Sequence, residues 1–371
     1  GKTMKILVTG SDGFVGTNLR VALHRRPDVE ILPFDVAHPA DDLDRHAEAA
    51  DFVFHLAGVN RPRQPAEFVS GNVDLTARLL TRLTASGRRT PVVFSSSTQA
   101  ALDNPYGESK RRAEELILDY HRRTGAPVRI FRFPNVFGKW SRPNYNSVVS
   151  TFCHNLTHGL PVQVSNPANE VTFVYVDEVV RCLLSCLDAP PTDGGFGEVA
   201  ETFRVTLGEL HDLLVSFRDG RARNEVPDLS RPFVRYLYST FLSYLDPEQR
   251  AVEVGLKTDE RGWLFELIRS PHAGQVFISR TRPGVVRGRH YHDTKIEKFC
   301  VIAGRGRIRM RKMFTDEIVA YEVSDAPIRI VDIPPGWTHS IENTGTEDLL
   351  TIFWANEPFD PARPDTFYED V

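Results

Sequence analysis

The first third of the chain alternates short apolar strands with helix-like segments, and this order constrains the fold more than any other feature of the sequence. The strands are continuous apolar runs, which is typical of strands buried in a parallel sheet. Each strand-helix-strand unit returns the chain parallel to its start, so the pattern predicts a doubly wound parallel α/β sheet. The predicted strands are residues 5–9, 30–35, 51–57, 91–96 and 128–133.

The last third has a different pattern, because short strands with period-two alternation follow one another after about residue 251. Gly, Pro, Asn or Asp separates most of them, which favours an antiparallel sandwich or small barrel. Residues 143–245 are less regular and are expected to form a substrate lobe and a helical connector. The sequence therefore predicts two domains, residues 1–245 and residues 246–371.

The charge and the cysteine pattern exclude several classes of function. The 371 residues have a formal net charge of -4, which gives no electrostatic reason to expect nucleic acid or an anionic membrane as a partner. No apolar run is long enough to span a bilayer, and the first residues show no signal-peptide pattern. The four cysteines form no CxxC pair. A cytoplasmic protein is therefore expected.

Gly10, Gly13 and Gly16 form a G-x-x-G-x-x-G motif between the first predicted strand and the first helix. Glycine lets the backbone approach a pyrophosphate closely, and the helix N-terminus presents free N–H groups. The motif predicts a Rossmann-type dinucleotide site. Asp35 can bind a ribose 2′-hydroxyl, and Asp12 adds a charge that would repel a 2′-phosphate. The acids favour NADH over NADPH, unless both are merely solvated loop residues.

Tyr106 and Lys110 form a Y-x-x-x-K motif at the start of a predicted helix. One helical turn places the ammonium beside the phenol, and a lysine so placed is expected to lower the tyrosine pKa. Ser97, at the end of the fourth strand, can hydrogen-bond a substrate carbonyl. Together the three side chains predict an acid–base site for ketone reduction.

The segments GSDGFVG, HLAGVN, FSSS and YGESK resemble the extended short-chain dehydrogenase/reductase family over about residues 4–245. Most members of that family act on nucleotide sugars, so the resemblance implies such a substrate. It also implies that Ser97, Tyr106 and Lys110 are the catalytic residues. The implied cofactor contacts are Gly10, Asp12, Gly13, Phe14, Val15, Gly16, Asp35, Leu56, Ala57, Gly58, Tyr106 and Lys110.

The substrate side matches that family only in part. PNVFG (134–138) resembles the family's Asn segment, which carries Asn135 over as a sugar-nucleotide contact. Val171 and Thr172 stand where many relatives have an Arg-Asp pair that touches the nucleotide. Diphosphate binding must then use other cations, and the candidates are Arg61, Arg132, Lys139 and Arg142. The predicted substrate contacts are Arg61, Asn135, Lys139 and Asn144.

Three histidines and one glutamate predict a metal site in the last third of the chain. His290 and His292 alternate, so on a strand both side chains leave the same face. Glu297 follows after a short turn, and His339 comes later in PPGWTHSIEN. Three imidazoles and a carboxylate suit Zn, Mn, Fe or Ni and leave room for an open coordination position. Zinc is the expected ion.

The patterns G-x5-H-x-H-x4-E-x6-G (284–304) and P-x-G-x2-H-x3-N (334–343) resemble the two halves of the cupin signature. The second half lacks its leading glycine, where Ile328 stands. The resemblance implies a cupin β-barrel after the Rossmann-type sheet, with His290, His292, Glu297 and His339 as metal ligands. A metal-free cupin whose histidines act as acids and bases stays open.

Nearly the whole chain resembles the CapF-type family of bifunctional enzymes of capsular polysaccharide synthesis, for example in NPYGESK, KIEKF and NEPFDPARPDTF. This resemblance implies a UDP-2-acetamido-2,6-dideoxy-4-hexulose substrate. The cupin domain would epimerise C3, and the reductase domain would reduce the C4 ketone, toward a UDP-L-fucosamine-type sugar. Those relatives use NADPH, which Asp12 and Asp35 put in doubt here.

Several alternatives stay open on the sequence alone. The cupin domain could be a dimerisation or ligand-sensing module with a structural metal, and the reductase site could bind a sugar nucleotide without turnover. The acid–base residue of the cupin domain is not identified, with Lys295, His290 and Tyr291 as candidates, and Trp337 could stack on a sugar or base. A homodimer is expected, because small cupin barrels expose sheet edges that commonly pair.

Overall fold

The computed structural model describes residues 1–59, 62–255, 257–259, 262–264, 267–268, 274–357 and 360–371. The described chain divides into two compact units. Unit 1 comprises Gly1–Val148 and Glu170–Val205, and unit 2 comprises Val149–Asn169 and Thr206–Val371. The domain boundary near residue 246 stays a prediction.

The helices and strands have the following bounds. The α-helices are α1 (Phe14–His24), α2 (Ala40–Ala49), α3 (Ala66–Phe68), α4 (Leu75–Ser86), α5 (Pro105–Thr124), α6 (Val148–Thr157), α7 (Val176–Asp188), α8 (Leu207–Ala222) and α9 (Pro232–Leu242). The strands of unit 1 are β1 (Met4–Thr9), β2 (Val29–Phe34), β3 (Phe52–His55), β4 (Val92–Ser97), β5 (Val128–Phe133), β6 (Asn135–Phe137), β7 (Glu170–Tyr175), β8 (Gly194–Phe196) and β9 (Phe203–Thr206). Those of unit 2 are β10 (Ala251–Glu253), β11 (Lys257–Asp259), β12 (Gly262–Leu264), β13 (Gln275–Thr281), β14 (Val286–Tyr291), β15 (Glu297–Ala303), β16 (Arg305–Lys312), β17 (Ile318–Ser324), β18 (Arg329–Ile333), β19 (Trp337–Asn343), β20 (Leu349–Ala355) and β21 (Phe367–Tyr368).

Unit 1 is built on a parallel sheet with strand order β2-β1-β3-β4-β5-β8. Successive residues of β1 face opposite sides, so Leu7 packs with α2, α4 and α5, while Ile6 and Val8 pack with α1 and α7. Because both faces are covered, the strands are apolar throughout, as the sequence pattern indicated. The predicted doubly wound α/β class is confirmed, and each of the five predicted strands is present.

Unit 2 contains two antiparallel sheets that share one core. Their strand orders are β10-β18-β15-β20-β13 and β17-β16-β19-β14-β21. Phe299 and Phe353 from the first sheet pack with Ile308, Met310 and Ile341 from the second. This confirms the predicted all-β class of the C-terminal part. The predicted strand 263–268 lies partly outside the described residues.

The segment predicted as a loose connector also contributes helices to unit 2. Pro232 occupies the first turn of α9, where its fixed φ and missing N–H cost nothing. Arg221 on α8 pairs with Asp332 on β18 through two hydrogen bonds, and Lys298 on β15 donates to the same carboxyl group at 2.8 Å. Asp332 and Lys298 are both buried. A buried ion cluster therefore fastens α8 to one sheet.

Candidate functional site

The glycine loop joins β1 to α1 beside the end of β3. Gly10 has φ +68°, and a Cβ there would lie 2.8 Å from the backbone nitrogen of Ala57. A Cβ on Gly16 would lie 2.0 Å from the carbonyl oxygen of Gly10, so neither position admits a side chain. The N-cap of α1, Gly13, gives no side-chain hydrogen bond to the first helical N–H groups. This open cradle at a helix N-terminus fits a pyrophosphate.

The two acids predicted to select the cofactor lie together at this loop. Asp35 accepts the backbone N–H of Asp12 at 2.9 Å and that of Val36 at 2.7 Å. Asp12 also lies 3.3 Å from the guanidinium of Arg20 and 3.8 Å from the ring of His38. The negative charge is therefore accompanied by a cation and a titratable ring, a neighbourhood that the sequence did not reveal.

Ser97, Tyr106 and Lys110 meet at the carboxyl end of β4. Ser97 caps a short 3₁₀ helix by accepting from the backbone N–H of Gln99 at 3.1 Å. Tyr106 in the first turn of α5 hydrogen-bonds with Ser97. Lys110, one turn later, is buried and donates from Nζ to the carbonyl oxygen of Ser95 at 3.1 Å. The three predicted catalytic side chains are thus brought into one site.

Burial controls the protonation of both titratable groups in this trio. It raises the pKa of Tyr106 to about 12, although the hydrogen bond with Ser97 acts in the opposite direction. The pKa of Tyr106 is therefore raised and not lowered as expected, because desolvation of the phenol dominates. Burial also lowers the pKa of Lys110 to about 8, against the nearby charge of Glu114. Tyr106 is therefore a proton donor at neutral pH.

A buried hydrogen-bond network supports this site, and no sequence motif indicates it. Asn72 lies in a π-helical turn, Val69–Asp74, that leads directly into α4. Its side chain donates to the Val59 carbonyl and to the Ser109 hydroxyl, both at 2.9 Å. Ser109 in turn donates to the carbonyl oxygen of Tyr106 at 2.7 Å. A single polar residue in an amphipathic helix gave no signal strong enough to predict this.

His55 forms a second buried link in the same region. Thr9 Oγ1 accepts the N–H groups of Leu56 and Ala57, so its proton points to His55 Nδ1, 2.6 Å away. His55 Nε2 then donates to Thr76 Oγ1 at 2.8 Å. Burial lowers the pKa of His55 to about 3, with the charge of Lys110 acting in the same direction. The His55 ring is therefore neutral and has a structural role, not that of an acid or base.

Three of the four predicted substrate contacts lie among the described residues of unit 1, and they differ in exposure. Asn135 is exposed and donates to the Thr172 carbonyl at 3.2 Å, and Asn144 is exposed with φ +57°. Lys139 is buried, with Nζ 3.8 Å from Asp177. Arg61 lies outside the described residues. These assignments stay predictions.

Arg132 and Arg142, the other predicted cations for the diphosphate, differ in the contacts that they already make and in their exposure to solvent. Arg132 is engaged by Glu114 through two hydrogen bonds of 3.0 and 2.6 Å. Glu114 is buried, so it holds the guanidinium in place. Arg142 is exposed and lies 5.3 Å from the ring of Tyr145. Arg132 is therefore better explained as a structural partner of Glu114 than as a ligand for phosphate.

The predicted metal ligands converge inside unit 2. One ligand atom from each of His290, His292, Glu297 and His339 lies within 4.8 Å of the others. A bulge at Gly288 and Arg289, both with positive φ, shifts the register of β14 before His290. The two histidines do converge, but β14 ends at Tyr291, so His290 lies on the strand and His292 just beyond it.

The second ring nitrogens of two histidines are fixed by backbone carbonyls. His292 Nδ1 lies 2.6 Å from the Asp365 oxygen, and His339 Nδ1 lies 3.1 Å from the Trp337 oxygen. Their Nε2 atoms are thereby directed at Glu297, at 2.6 and 3.2 Å. His339 Nε2 is buried without meeting hydrogen-bond geometry among the described residues. A buried, oriented donor set with one such nitrogen fits a divalent cation.

Electrostatics in this cluster keeps the acid ionised. Burial alone would raise the pKa of Glu297, but the hydrogen bond from His292 and the charges of both neighbouring histidines hold it well below its usual range. Burial lowers the pKa of His290 to about 3, and the other two rings add to the effect. Burial would lower the pKa of His292, but its hydrogen bond with Glu297 and the charge of that carboxylate raise it, so a metal ion binding here would displace a proton from the His292 ring.

The candidate acid–base residues around the cluster have defined contacts. Lys295 Nζ donates to Thr366 Oγ1 at 3.0 Å, and the Tyr291 ring packs on Phe367 at 5.5 Å between centroids. Trp337 is buried, with the guanidinium of Arg250 4.2 Å from its ring. Arg250 therefore occupies one face of the ring on which a sugar or base was suggested to stack.

Comparison with known proteins places this geometry in a family. Residues 6–198, more than half of the 371, match the model of the NAD dependent epimerase/dehydratase family. The chain belongs to that family. Residues 257–367 match a second model, the polysaccharide biosynthesis C-terminal domain. Membership of an NAD-dependent family bears out the prediction of an enzyme with a nicotinamide cofactor.

Individual members of the family extend the likeness to the full chain. The chain is 42% identical to the UDP-2-acetamido-2,6-beta-L-arabino-hexul-4-ose reductase of Pseudomonas aeruginosa, over 98% of each protein. The crystal structure of the capsular polysaccharide assembling protein CapF from Staphylococcus aureus matches with 42% identity and a TM-score of 0.68, over 99% of this chain and 100% of that one. The resemblance to CapF-type enzymes is confirmed.

A more distant solved structure shares the fold. The UDP-glucuronic acid 4-epimerase of Bacillus cereus, solved with UDP-glucuronic acid and NAD, is 18% identical with a TM-score of 0.53. It covers 58% of this chain and 83% of its own. Within the described residues, no helix of this chain has the length and apolarity needed to cross a membrane.

Proposed function

We propose that the chain is a bifunctional nucleotide-sugar enzyme that epimerises C3 and reduces the C4 ketone of a UDP-2-acetamido-2,6-dideoxy-4-hexulose. The product would be a UDP-L-fucosamine-type or related deoxysugar for polysaccharide synthesis. The observation on which this rests is that one chain holds two complete constellations: Ser97, Tyr106 and Lys110 beside the glycine loop, and the buried histidine–glutamate cluster. The reductase of Pseudomonas aeruginosa, similar over almost the whole chain, supports the substrate class.

At the reductase site the side chains handle the ketone oxygen. The nicotinamide, when bound, supplies the hydride that adds to C4. Ser97 donates a hydrogen bond to the carbonyl oxygen, and Tyr106 gives its proton to that oxygen as the C–H bond forms. The raised pKa of Tyr106, about 12, keeps the phenol protonated for this role. Charged Lys110 stabilises the phenolate left behind.

At the second site the substrate ketone makes the neighbouring C3 proton acidic. Removing that proton and returning it to the opposite face inverts C3. A divalent cation held by His290, His292, Glu297 and His339 would supply positive charge that stabilises the enolate. Zinc suits this donor set. Lys295, His290 and Tyr291 remain the candidates for moving the proton.

The cofactor preference is proposed to be NADH. Asp35 keeps lone pairs free after accepting two N–H groups, so it can still accept a ribose 2′-hydroxyl. The carboxylate of Asp12 adds repulsion toward a 2′-phosphate, which Arg20 offsets in part. Comparing kcat/KM for NADH and NADPH tests this preference. A clear NADPH advantage would mean that Arg20 outweighs the two acids.

A second function for unit 2 is supported by the number of protein ligands. Four ligands can close a structural site, whereas a catalytic site keeps an open position. In that case the reductase would be the one enzyme, and the metal would hold a dimerisation or ligand-sensing module in shape. Partial exposure of His290, beside three buried ligands, favours an accessible site instead.

Deuterium exchange separates the two functions. The full-length protein would be incubated with the 4-keto sugar in D2O without reduced cofactor, and C3 followed by NMR. Deuterium at C3 that disappears in His339→Ala supports catalysis at the metal cluster. Absence of exchange in the wild type, together with NAD(P)H-dependent reduction of the ketone, would leave only the reductase.

A second copy of the chain is the proposed partner. Val276 and Ile278 on β13 are 51% and 59% exposed, and β13 pairs only with β20 among the described strands. An exposed edge strand with apolar side chains favours pairing. Analytical ultracentrifugation should show a dimer that weakens in Ile278→Lys.

The four free cysteines are all buried, which suits the reducing environment of the cytoplasm.

A further inference from the structure

Residues 365–369, called the C-terminal strap below, lie along the strand that holds His290. Within the strap β21 pairs antiparallel with β14, so that His290 faces Tyr368. The backbone N–H of Glu369 donates to the carbonyl oxygen of Arg289 at 2.9 Å. Arg289 is part of the bulge that aims His290. The strap therefore holds the backbone on both sides of this ligand.

Asp365 connects the strap to the next two ligands. Its carboxylate accepts the backbone N–H groups of Asp293, Thr294 and Lys295 at 2.7, 3.0 and 2.7 Å. These residues form the turn between His292 and Glu297. The Asp365 carbonyl oxygen also lies 2.6 Å from His292 Nδ1. One residue thus sets both the orientation of a ligand ring and the turn that leads to the ligand carboxylate.

The backbone of Asp365 shows that this position is enforced. Its φ is +41°, in the left-handed region that residues with a Cβ rarely adopt. Such a conformation persists only where the surrounding contacts hold it, and here the contacts are those to the ligand-bearing turn. At the other end of the strap, the hydroxyl of Thr338 donates to the carbonyl oxygen of Glu369. Thr338 immediately precedes the fourth ligand, His339.

We propose that the C-terminal strap is the outer support of the metal centre and that Asp365 is its main positioning residue. Hydrogen-bonded partners of ligands fix ring orientation and increase ligand basicity, and their loss typically weakens metal binding about 10-fold to 100-fold. The inference rests on the proposed metal centre and adds to it residues far away in sequence.

The test is the Zn²⁺ affinity of the full-length protein, measured by competition with a chromophoric chelator. Asp365→Ala should bind Zn²⁺ about 10-fold to 100-fold more weakly than wild type. Asp365→Asn, which tolerates positive φ and keeps a side-chain oxygen, should fall between the two. Asp360→Ala is the matched control, because that exposed carboxylate accepts only the N–H of Ala362, at 2.9 Å, among the described contacts.

A spectroscopic readout distinguishes positioning from general stability. The visible absorption of the Co²⁺-loaded protein should shift in Asp365→Ala and stay unchanged in Asp360→Ala. Equal Zn²⁺ affinities of these two variants would overturn the role of the strap, as would a weaker affinity with an unaltered Co²⁺ spectrum. Failure of the wild type to bind Zn²⁺ at one per chain would overturn the metal centre itself. If Asp365→Ala does not fold, Asp365→Asn decides by the same criteria.

Discussion

Tyr106 is half-buried and Lys110 is buried, and desolvation pushes the phenol and the ammonium toward their neutral forms. Tyr106 therefore keeps its proton at neutral pH until the substrate oxygen accepts it. Lys110 loses its positive charge within the pH range of ordinary assay buffers. The same desolvation thus makes the donor ready at neutral pH and sets an upper pH limit for activity.

Removing the phenol oxygen should abolish reduction without disturbing the fold. Tyr106→Phe is expected to lower kcat for C4 reduction by about 10²-fold to 10⁴-fold, because the phenol is the proton donor of the proposed reaction. Fluorescence titration should show that reduced cofactor still binds. Tyr120→Phe on the same helix is the control, since its hydroxyl donates to the Thr90 carbonyl at 2.7 Å and lies in the core. That variant should lose about 1 kcal/mol of stability and retain kcat.

The pH dependence of kcat/KM should report the protonation state of Lys110. With the pKa of Lys110 lowered to about 8 by burial, the ammonium loses its proton as the pH rises past that value, and log(kcat/KM) should fall. In Lys110→Arg the guanidinium stays charged, so this alkaline fall should move to higher pH even though the rate is lower. Rates between about pH 6 and about pH 10 decide the question. An alkaline limb that is identical in both proteins would exclude Lys110 as its source.

Proximity that depends on local spacing could be predicted from the sequence, and proximity that depends on long-range contacts could not. Tyr106 and Lys110 lie one helical turn apart, and His290 and His292 lie two residues apart at the end of β14, so their sequence separations already imply proximity. Asp365 reaches the metal cluster through its hydrogen bonds to His292, 73 positions away, and to the turn that follows His292. Its neighbours in sequence are ordinary loop residues, and nothing in them indicates that contact.

At the scale of elements, ion pairs, and not apolar side chains alone, join the helix α8 to the strand β18. Arg221 and Lys298 both reach the buried carboxyl group of Asp332. Burial would raise the pKa of Asp332, but the charges of Lys298 and Arg221 outweigh it, and the pKa is lowered. The expectation of a helical connector gave no partner for Arg221, because an arginine on a helix is most often solvated.

Breaking this cluster should be costly. Asp332→Asn leaves two cations without their partner and is expected to lower the free energy of unfolding by about 3–5 kcal/mol. Since the folded pKa lies below the unfolded one, the stabilisation is present above about pH 4 and is lost as the pH falls through the folded pKa. Urea unfolding at several pH values should therefore show wild type and variant converging in acid. A difference that persists there would show that the charge is not its cause.

The exposed pair of Asp188 and Arg26 gives the matched comparison. Its two hydrogen bonds are 2.5 and 3.0 Å, yet the Asp188 side chain is 60% exposed. Solvent screens such a pair, so Asp188→Asn should change the free energy of unfolding by less than about 1 kcal/mol. A large effect there would mean that geometry, not burial, sets the energy of ion pairs in this protein.

At the scale of the whole chain, the fold class was accessible from sequence because the two halves have different periodicities. A strand that is apolar throughout must be buried on both faces of its sheet, whereas a strand with alternating apolar residues must be buried on one face. The compact units assign α8 and α9 to the same unit as the β-sheets, which no periodicity could indicate. A fragment starting at residue 246 would lack Arg221, so it should unfold at a lower temperature than one starting at residue 206. Equal melting temperatures would favour the boundary near 246.

Two sites on one chain can be tested by complementation between variants. Tyr106→Phe should keep C3 exchange and lose reduction, whereas His339→Ala should lose exchange and keep reduction of a sugar that is already epimerised. Neither variant alone should convert the starting 4-keto sugar to the final product. An equimolar mixture should do so, because an epimerised ketone released by one protein can diffuse to the other. His211→Ala, a partly exposed histidine on α8, is the control and should behave as wild type. Full conversion by His339→Ala alone would instead assign the metal cluster a structural role and leave both steps to the reductase site or to solution chemistry.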